Sequence, residues 1–380
     1  MGRFAKRALA AAAGTFDRNN LIPGVHKPGP NTTGPYTVST FQDVYPSGGN
    51  TYITISAPGT YHGKRYWGQI RVAAGLADWS VKFVECDFVG HPPEDAIDTD
   101  CEMIRAYGSF PSKFEIWDSL IDPRPWLTGS APGGARSALS PYYTGIKGGN
   151  VRMYRSEIVS VSDGWNWIGP DGNNGSGAGL TAVINQEHLS QQNWYHKCFY
   201  ANNVVPPNDG QPHSDGIQTN FGRNFTIRGD FIGGDRDVSG FLTWPGGYNA
   251  GDDFYGAGIM IKQEVGIYNG TPQYVPAVHE ISNLVIEDGW IEGCEGGINH
   301  AYVPARPASY SNSSISGMRF GMRGTDWGES LQLSQSNVVD SPPVQRTTGA
   351  GWYIIRHTSF SALYSNNTRY DNSAVPITNG

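Results

Sequence analysis

Charge is scarce in this chain. Asp, Glu, Lys and Arg make up 16% of its 380 residues, against about 25% in an ordinary globular domain. Long surface helices laced with Glu–Lys pairs are therefore not expected. The net charge of −7 leaves no electrostatic case for a nucleic-acid partner, whose binders carry basic patches. Cysteine is sparse as well: Cys86, Cys101, Cys198 and Cys294 show no Cys-x-x-Cys spacing. That excludes a disulfide scaffold and argues against structural zinc. They read as buried thiols facing out of strands, with a Cys86–Cys101 bridge left open. No run approaches the length of about 18 apolar residues that a membrane span requires. The opening Met1–Gly14 imitates a secretion signal with its basic start and alanine stretch, but its apolar centre is thin. No motif implies a cofactor or a metal.

Glycine, proline and aromatic residues are plentiful. There are 50 Gly and 25 Pro, and aromatics reach 12%, a composition that favours short strands and many turns. Two regions follow. Residues 1–50 include Leu21–Tyr36, with prolines at 23, 28, 30 and 35 in extended chain. Such a segment is expected to be an arm or adaptor lying along a partner, or a disordered leader. Residues 51–380 carry a repeat.

The repeat is a strand template: apolar at zero and plus two, small or polar at plus five, apolar at plus seven. It occurs as Val81, Phe83, Cys86, Phe88; as Phe114, Ile116, Ser119, Ile121; and as Val151, Met153, Ser156, Ile158. It returns as Phe225, Ile227, Asp230, Ile232; as Leu284, Ile286, Gly289, Ile291; and as Tyr353, Ile355, Thr358, Phe360. Asn150, Asn224 and Asn283 directly precede three copies, and Asn tolerates the left-handed conformation of a sharp corner. A Gly followed by a large apolar residue precedes most copies: Gly145-Ile146, Gly164-Trp165, Gly216-Ile217, Gly258-Ile259, Gly297-Ile298. A propeller would repeat more evenly, and a sandwich would lack the Asn corner and the Gly–apolar pair. Short strands with tight corners and variable insertions predict an all-β solenoid, a parallel β-helix with its binding surface where insertions project.

These coils resemble the right-handed parallel β-helix of the pectin-lyase-like superfamily over about residues 51–370. His213-Ser-Asp-Gly-Ile-Gln218, followed by Gly222-Arg-Asn-Phe-Thr-Ile-Arg228, is similar to a coil of phage and actinobacterial β-helix proteins. With the extended N-terminal arm, the chain resembles minor tail proteins and tailspikes of tailed bacteriophages. The resemblance implies a single-stranded β-helix in the virion tail, trimeric, attached to other tail proteins through residues 1–50 and recognising host cell-surface polysaccharide. A partial echo of polygalacturonase-type glycoside hydrolases lies in His213-Ser-Asp-Gly216, Gly251-Asp-Asp253 and Ile259-Met-Ile-Lys262, without that family's Gly-His-Gly.

Glycoside hydrolysis needs two carboxyl groups about 5–10 Å apart, and neighbouring strands about 4.8 Å apart can supply them. Asp163 and Asp215 occupy the same template position, before the Gly–apolar pair, and are the catalytic candidates. Proximity would raise the pKa of one of them. Asp-Gly equally serves as corner chemistry, its carboxylate closing a turn. His213 is a candidate proton shuttle or a structural corner His. Asp252, Asp253, Gln218, Trp165, Trp244 and Tyr248 are candidate substrate contacts, the aromatics suiting either sugar stacking or packing between chains. Three functions stay open: a tail protein recognising host glycan, a polysaccharide-degrading enzyme, and a surface carbohydrate-binding protein without catalysis.

Overall fold

The structure is a computed structural model. It describes residues 17–23, 26–30, 32–33, 38, 40–91, 102–106, 112–126, 144–159, 161, 163–167, 187–196, 215–219, 223–233, 257–263, 266–268, 271–273, 281–292, 296–302, 310–321 and 364–369. Their regular secondary structure is almost all strand, arranged in three parallel sheets of eight, ten and ten strands. The chain visits the sheets in a fixed cycle. Thr144–Gly148 lies in the first sheet, Val151–Tyr154 in the second and Glu157–Val159 in the third, and Asp163–Trp167 returns to the first beside Thr144–Gly148. Each cycle of three strands is here called a rung. This order is compatible with a parallel β-helix. The one antiparallel pair among the described residues, Gly266–Tyr268 with Thr271–Gln273, sits in an insertion between first- and second-sheet strands. Arg124–Trp126 forms a 3-10 turn, and no described helix is long and apolar enough to cross a membrane.

The template residues are the core. Positions zero, plus two and plus seven point inward from the second and third sheets, so Val81, Phe83 and Phe88 pack beneath Phe114, Ile116 and Ile121, all fully buried. The first sheet adds Ile70, Ile104, Ile146, Trp165, Ile217, Ile259 and Ile298, stacked in register. Each such side chain contributes about 1.5–3 kcal/mol by leaving water, and the stack forms one continuous cluster. The glycines before Ile146 and Ile217 have a steric cause. A Cβ on Gly145 would lie 2.5 Å from the Gly164 carbonyl oxygen, and one on Gly216 would lie 2.5 Å from Ile232 Cγ2.

The corner between the second and third sheets is two residues long on rung after rung. Its first residue takes a positive φ, as in Glu85, Asp118, Arg155, Gln192, Gly229, Asp288, Gly317 and Asn366. Its second is the plus-five residue, and at Ser119, Ser156, Asn193 and Asp230 its side chain accepts a hydrogen bond from the plus-five backbone N–H of the preceding rung. Ser119 Oγ accepts from Cys86 N–H (3.0 Å), Ser156 Oγ from Ser119 N–H (3.0 Å), Asn193 Oδ1 from Ser156 N–H (2.8 Å) and Asp230 Oδ1 from Asn193 N–H (2.8 Å). Met318 Sδ and Asn367 Oδ1 extend the pattern, taking the Gly289 and Met318 N–H groups. A buried N–H facing a hydrophobic lumen needs such a partner. Asp230 therefore belongs to this internal ladder.

The rungs include three whose composition hides them from the template. His188, Ser190, Asn193 and Tyr195 fill one, with polar side chains at positions expected to be apolar. The others place Ile315 with Met318, and Tyr364 with Asn367, in the equivalent slots. The expected copy Tyr353–Phe360 lies outside the described residues. Cys86 is a free, buried thiol, and Cys101, Cys198 and Cys294 lie outside the described residues. The described part of residues 1–50 rests against the chain's own rungs. Gln192 Nε2 donates to Asn19 O (3.1 Å), Gly29 N–H donates to Arg155 O (3.0 Å), and Lys27 pairs with Glu157 (3.0 Å). Gln42–Val44 then joins the third sheet beside Lys64–Tyr66.

Candidate functional site

The outer face of the first sheet collects the polar residues. Strand alternation puts the residue after each inward Ile or Trp on the outside. Arg71, Arg105, Lys147, Asn166 and Gln218 thereby stand in register on five successive rungs. A second column flanks it at the corner with the third sheet: Glu102, Thr144 and Asp163 in register, with Asp215 on the next rung. The two columns are tied together. Arg105 Nε lies 3.5 Å from Glu102, Asn166 Nδ2 donates to Asp163 Oδ2 (3.2 Å) and to Gln218 Oε1 (3.3 Å), and Gln69 Nε2 donates to the Glu102 carbonyl (3.1 Å). The result is a strip of planar donors and acceptors running along the stack. Asn166 Oδ1 has no hydrogen-bond partner although it is shielded from solvent.

Asp163 and Asp215 are brought together as neighbours on adjacent rungs. Asp163 Oδ1 accepts the backbone N–H of Asp215 (3.1 Å) and its other oxygen takes Asn166. The Asp163 carboxylate thus closes a corner and orients the amide beside it. Asp215 is buried, 1% exposed. Gln218 lies in the strip. Trp165 shares a strand with Asp163 but points into the lumen, fully buried, its indole N–H donating to Gly148 O (2.9 Å) and its ring 5.3 Å from Phe225. That position makes it a packing residue with no face toward solvent. His213, Trp244, Tyr248, Asp252 and Asp253 lie outside the described residues.

Two outward-facing features escape sequence reasoning. On the third sheet, Asp87, Asp122 and Glu157 form a buried carboxyl group cluster beneath partly exposed cations. Arg65 donates to Asp87 (2.7 Å), Arg124 to Asp122 (2.7 Å), and Lys27 pairs with Glu157 (3.0 Å). Burial, with neighbouring Asp122, raises the Asp87 carboxyl to about 6, and burial raises Glu157 as well. Their spread over three rungs separates them by 35 residues each time, a spacing of the order of a solenoid repeat, so no local motif marks them. On the second sheet, Trp117 stacks on Tyr154 with centroids 3.8 Å apart and an interplanar angle of 15°. Each ring covers one face of the other, which leaves less of either for a sugar.

Among the described residues no group of His, Cys, Asp and Glu is placed to hold a metal ion. The chemistry on display is hydrogen bonding along a rigid sheet. No protein-family model, curated protein or solved structure matches this chain.

Proposed function

We propose that this chain is a right-handed, single-chain parallel β-helix protein of a bacteriophage tail, attached through residues 1–50 and recognising host cell-surface glycan along its first sheet. The observation that carries the glycan reading is the in-register strip of Arg71, Arg105, Lys147, Asn166 and Gln218. Sugars present hydroxyl groups that donate and accept at once, and planar amide and guanidinium groups on a preformed surface match them with little ordering cost. A sheet spacing of about 4.8 Å lets consecutive sugars of an extended polymer meet consecutive rungs. The tail assignment and a trimeric state rest on the resemblance of the coils and the N-terminal segment to tail proteins.

The experiment is retention of the full chain on immobilised host-envelope polysaccharide. Asn166→Ala and Gln218→Ala should each weaken retention by about tenfold, the value of one or two hydrogen bonds left unmade. Equal retention of both variants and wild type would remove the strip from the reading. A depolymerase reading draws on the Asp163–Asp215 adjacency. It requires new reducing or unsaturated ends on incubation with the polymer, and their loss in Asp215→Asn.

A further inference from the structure

Charged residues that meet across adjacent strands obey one rule in most of this molecule. Asp43 pairs in register with Arg65, Arg65 with Asp87, Lys82 with Glu115, Glu115 with Arg152, and Arg228 with Glu287. Every one of these joins opposite signs, as expected where facing like charges destabilise a sheet. Among the described strands, only the first sheet departs from it. There Arg71 pairs with Arg105, and Arg105 with Lys147, giving three cations on three consecutive rungs.

Their direction is fixed by their neighbours. Ile70 and Val72, Ile104 and Ala106, and Ile146 flank them and point inward, so all three cations stand on the outer face, each partly exposed. Arg71 is also held in place, its Nε donating to Gln69 Oε1 (2.5 Å) and its guanidinium lying 3.8 Å over the Tyr52 ring. Arg105 also lies 3.5 Å from the buried Glu102 carboxylate, yet like charges placed directly opposite across a parallel sheet disfavour the fold. The stack stands in a chain whose net charge is −7. Its natural use is to meet a repeating negative charge from outside.

We propose that the Arg71–Arg105–Lys147 column selects an anionic surface polymer, a glycan carrying a carboxylate or phosphate on successive units. This inference rests on the glycan reading above and names its substrate class. The adjoining Asn166 and Gln218 rungs take the hydroxyl groups, while the cation column takes the charges. Guanidinium groups suit it because they grip carboxylate and phosphate oxygens in pairs.

The test uses the full chain and four immobilised polymers: alginate for carboxylate, poly(glycerol phosphate) for phosphate, neutral dextran, and poly-L-glutamate as a polyanion without sugar. Wild type should be retained by alginate or by poly(glycerol phosphate), the better of the two naming the charged group, and retention should fall steeply with salt. Arg71→Gln and Lys147→Gln should each weaken that retention by about tenfold. Should either variant fail to fold, the salt dependence of wild type on the anionic polymer against dextran decides the matter. Equal retention of variants and wild type, dextran held as well as the anionic polymers, or poly-L-glutamate held as tightly as either, would overturn the proposal. Retention by dextran alone would do so while leaving glycan recognition standing. Failure on every polymer and on host-envelope polysaccharide would end both.

Discussion

Asp230 offers the sharpest test of how this fold is held together. Its carboxyl is fully enclosed, accepts from the Asn193 N–H at 2.8 Å, and is hydrogen-bonded to Ser190 Oγ, which meets Tyr195 Oη at 2.6 Å. Asn193 Nδ2 also reaches Ser190 Oγ (2.9 Å). Burial pushes the carboxyl up to about 7, against opposing help from Ser190 and the Asn193 and Gln192 backbone. The folded state therefore holds this proton more tightly than the unfolded chain, whose carboxyl titrates at the usual 3.8. Its contribution to stability is fully present below pH about 4 and is lost as pH rises through about 7. A rise from 3.8 to about 7 corresponds to about 4 kcal/mol.

Asp230→Asn keeps an acceptor for Asn193 and supplies an amide donor for Ser190, so the variant resembles the protonated acid at every pH. His188 complicates wild type alone, because burial lowers its pKa to about 3 and its contribution runs the other way, present above 6.5 and lost as pH falls. Comparing variant with wild type cancels that term. Urea unfolding followed by tryptophan fluorescence should show the variant gaining about 3 kcal/mol on wild type between about pH 5 and about pH 8. Parallel stability curves for the two proteins across that range would refute the reasoning, because they would mean Asp230 titrates alike folded and unfolded.

Three further outcomes follow from the same interior. Ser156→Ala leaves the Ser119 N–H without its acceptor and should lower stability by about 1–3 kcal/mol in the same urea assay, whereas Ser156→Asn, which places at this rung the residue found at 193, should lose less. Gly145→Ala drives a methyl group into the Gly164 carbonyl at 2.5 Å and should cost about 1–3 kcal/mol or more, measured by thermal melting. The Cys86 thiol, fully buried and pushed up to about 12 by burial, should resist alkylation at neutral pH until the chain is unfolded, and mass spectrometry of the labelled peptide checks this.

The parallel sheets were legible because most rungs put apolar side chains into the lumen at three fixed offsets, as those of Val81, Phe114, Val151, Phe225 and Leu284 do. The His188–Tyr195 rung was illegible for the converse reason. There Ser190 joins the Asp230 network and His188 Nδ1 accepts from the Asn150 N–H (2.8 Å), so polar groups pair where hydrocarbon was expected, while His188 Nε2 has no hydrogen-bond partner. The regular spacing of Ser156, Asn193 and Asp230, 37 residues apart each time, could have revealed it. Of the strip, Asp163 and Asp215 were singled out through the Gly–apolar repeat and Gln218 from its place in the compact His213–Gln218 stretch. Arg71, Arg105 and Lys147 were missed, because their alignment depends on the lengths of the insertions between rungs. Trp165 shows the limit of composition: an aromatic beside a loop in sequence can still face inward.

The two-residue corner, repeated from Glu85–Cys86 to Asn366–Asn367, separates this molecule into a spine and a periphery. Chain length varies freely between the third and first sheets and between the first and second, as the intervals from Ile121 to Thr144 and from Trp167 to His188 show. At the corner from second to third sheet it does not vary from Val84–Asp87 through Ser365–Thr368. Six rungs, those of Ser119, Ser156, Asn193, Asp230, Met318 and Asn367, fasten themselves there with a side chain placed in the predecessor. Segments on the two permissive edges can be exchanged, lengthened or removed without loosening that fastening. Such a scaffold tolerates traded loops while its spine passes on unaltered.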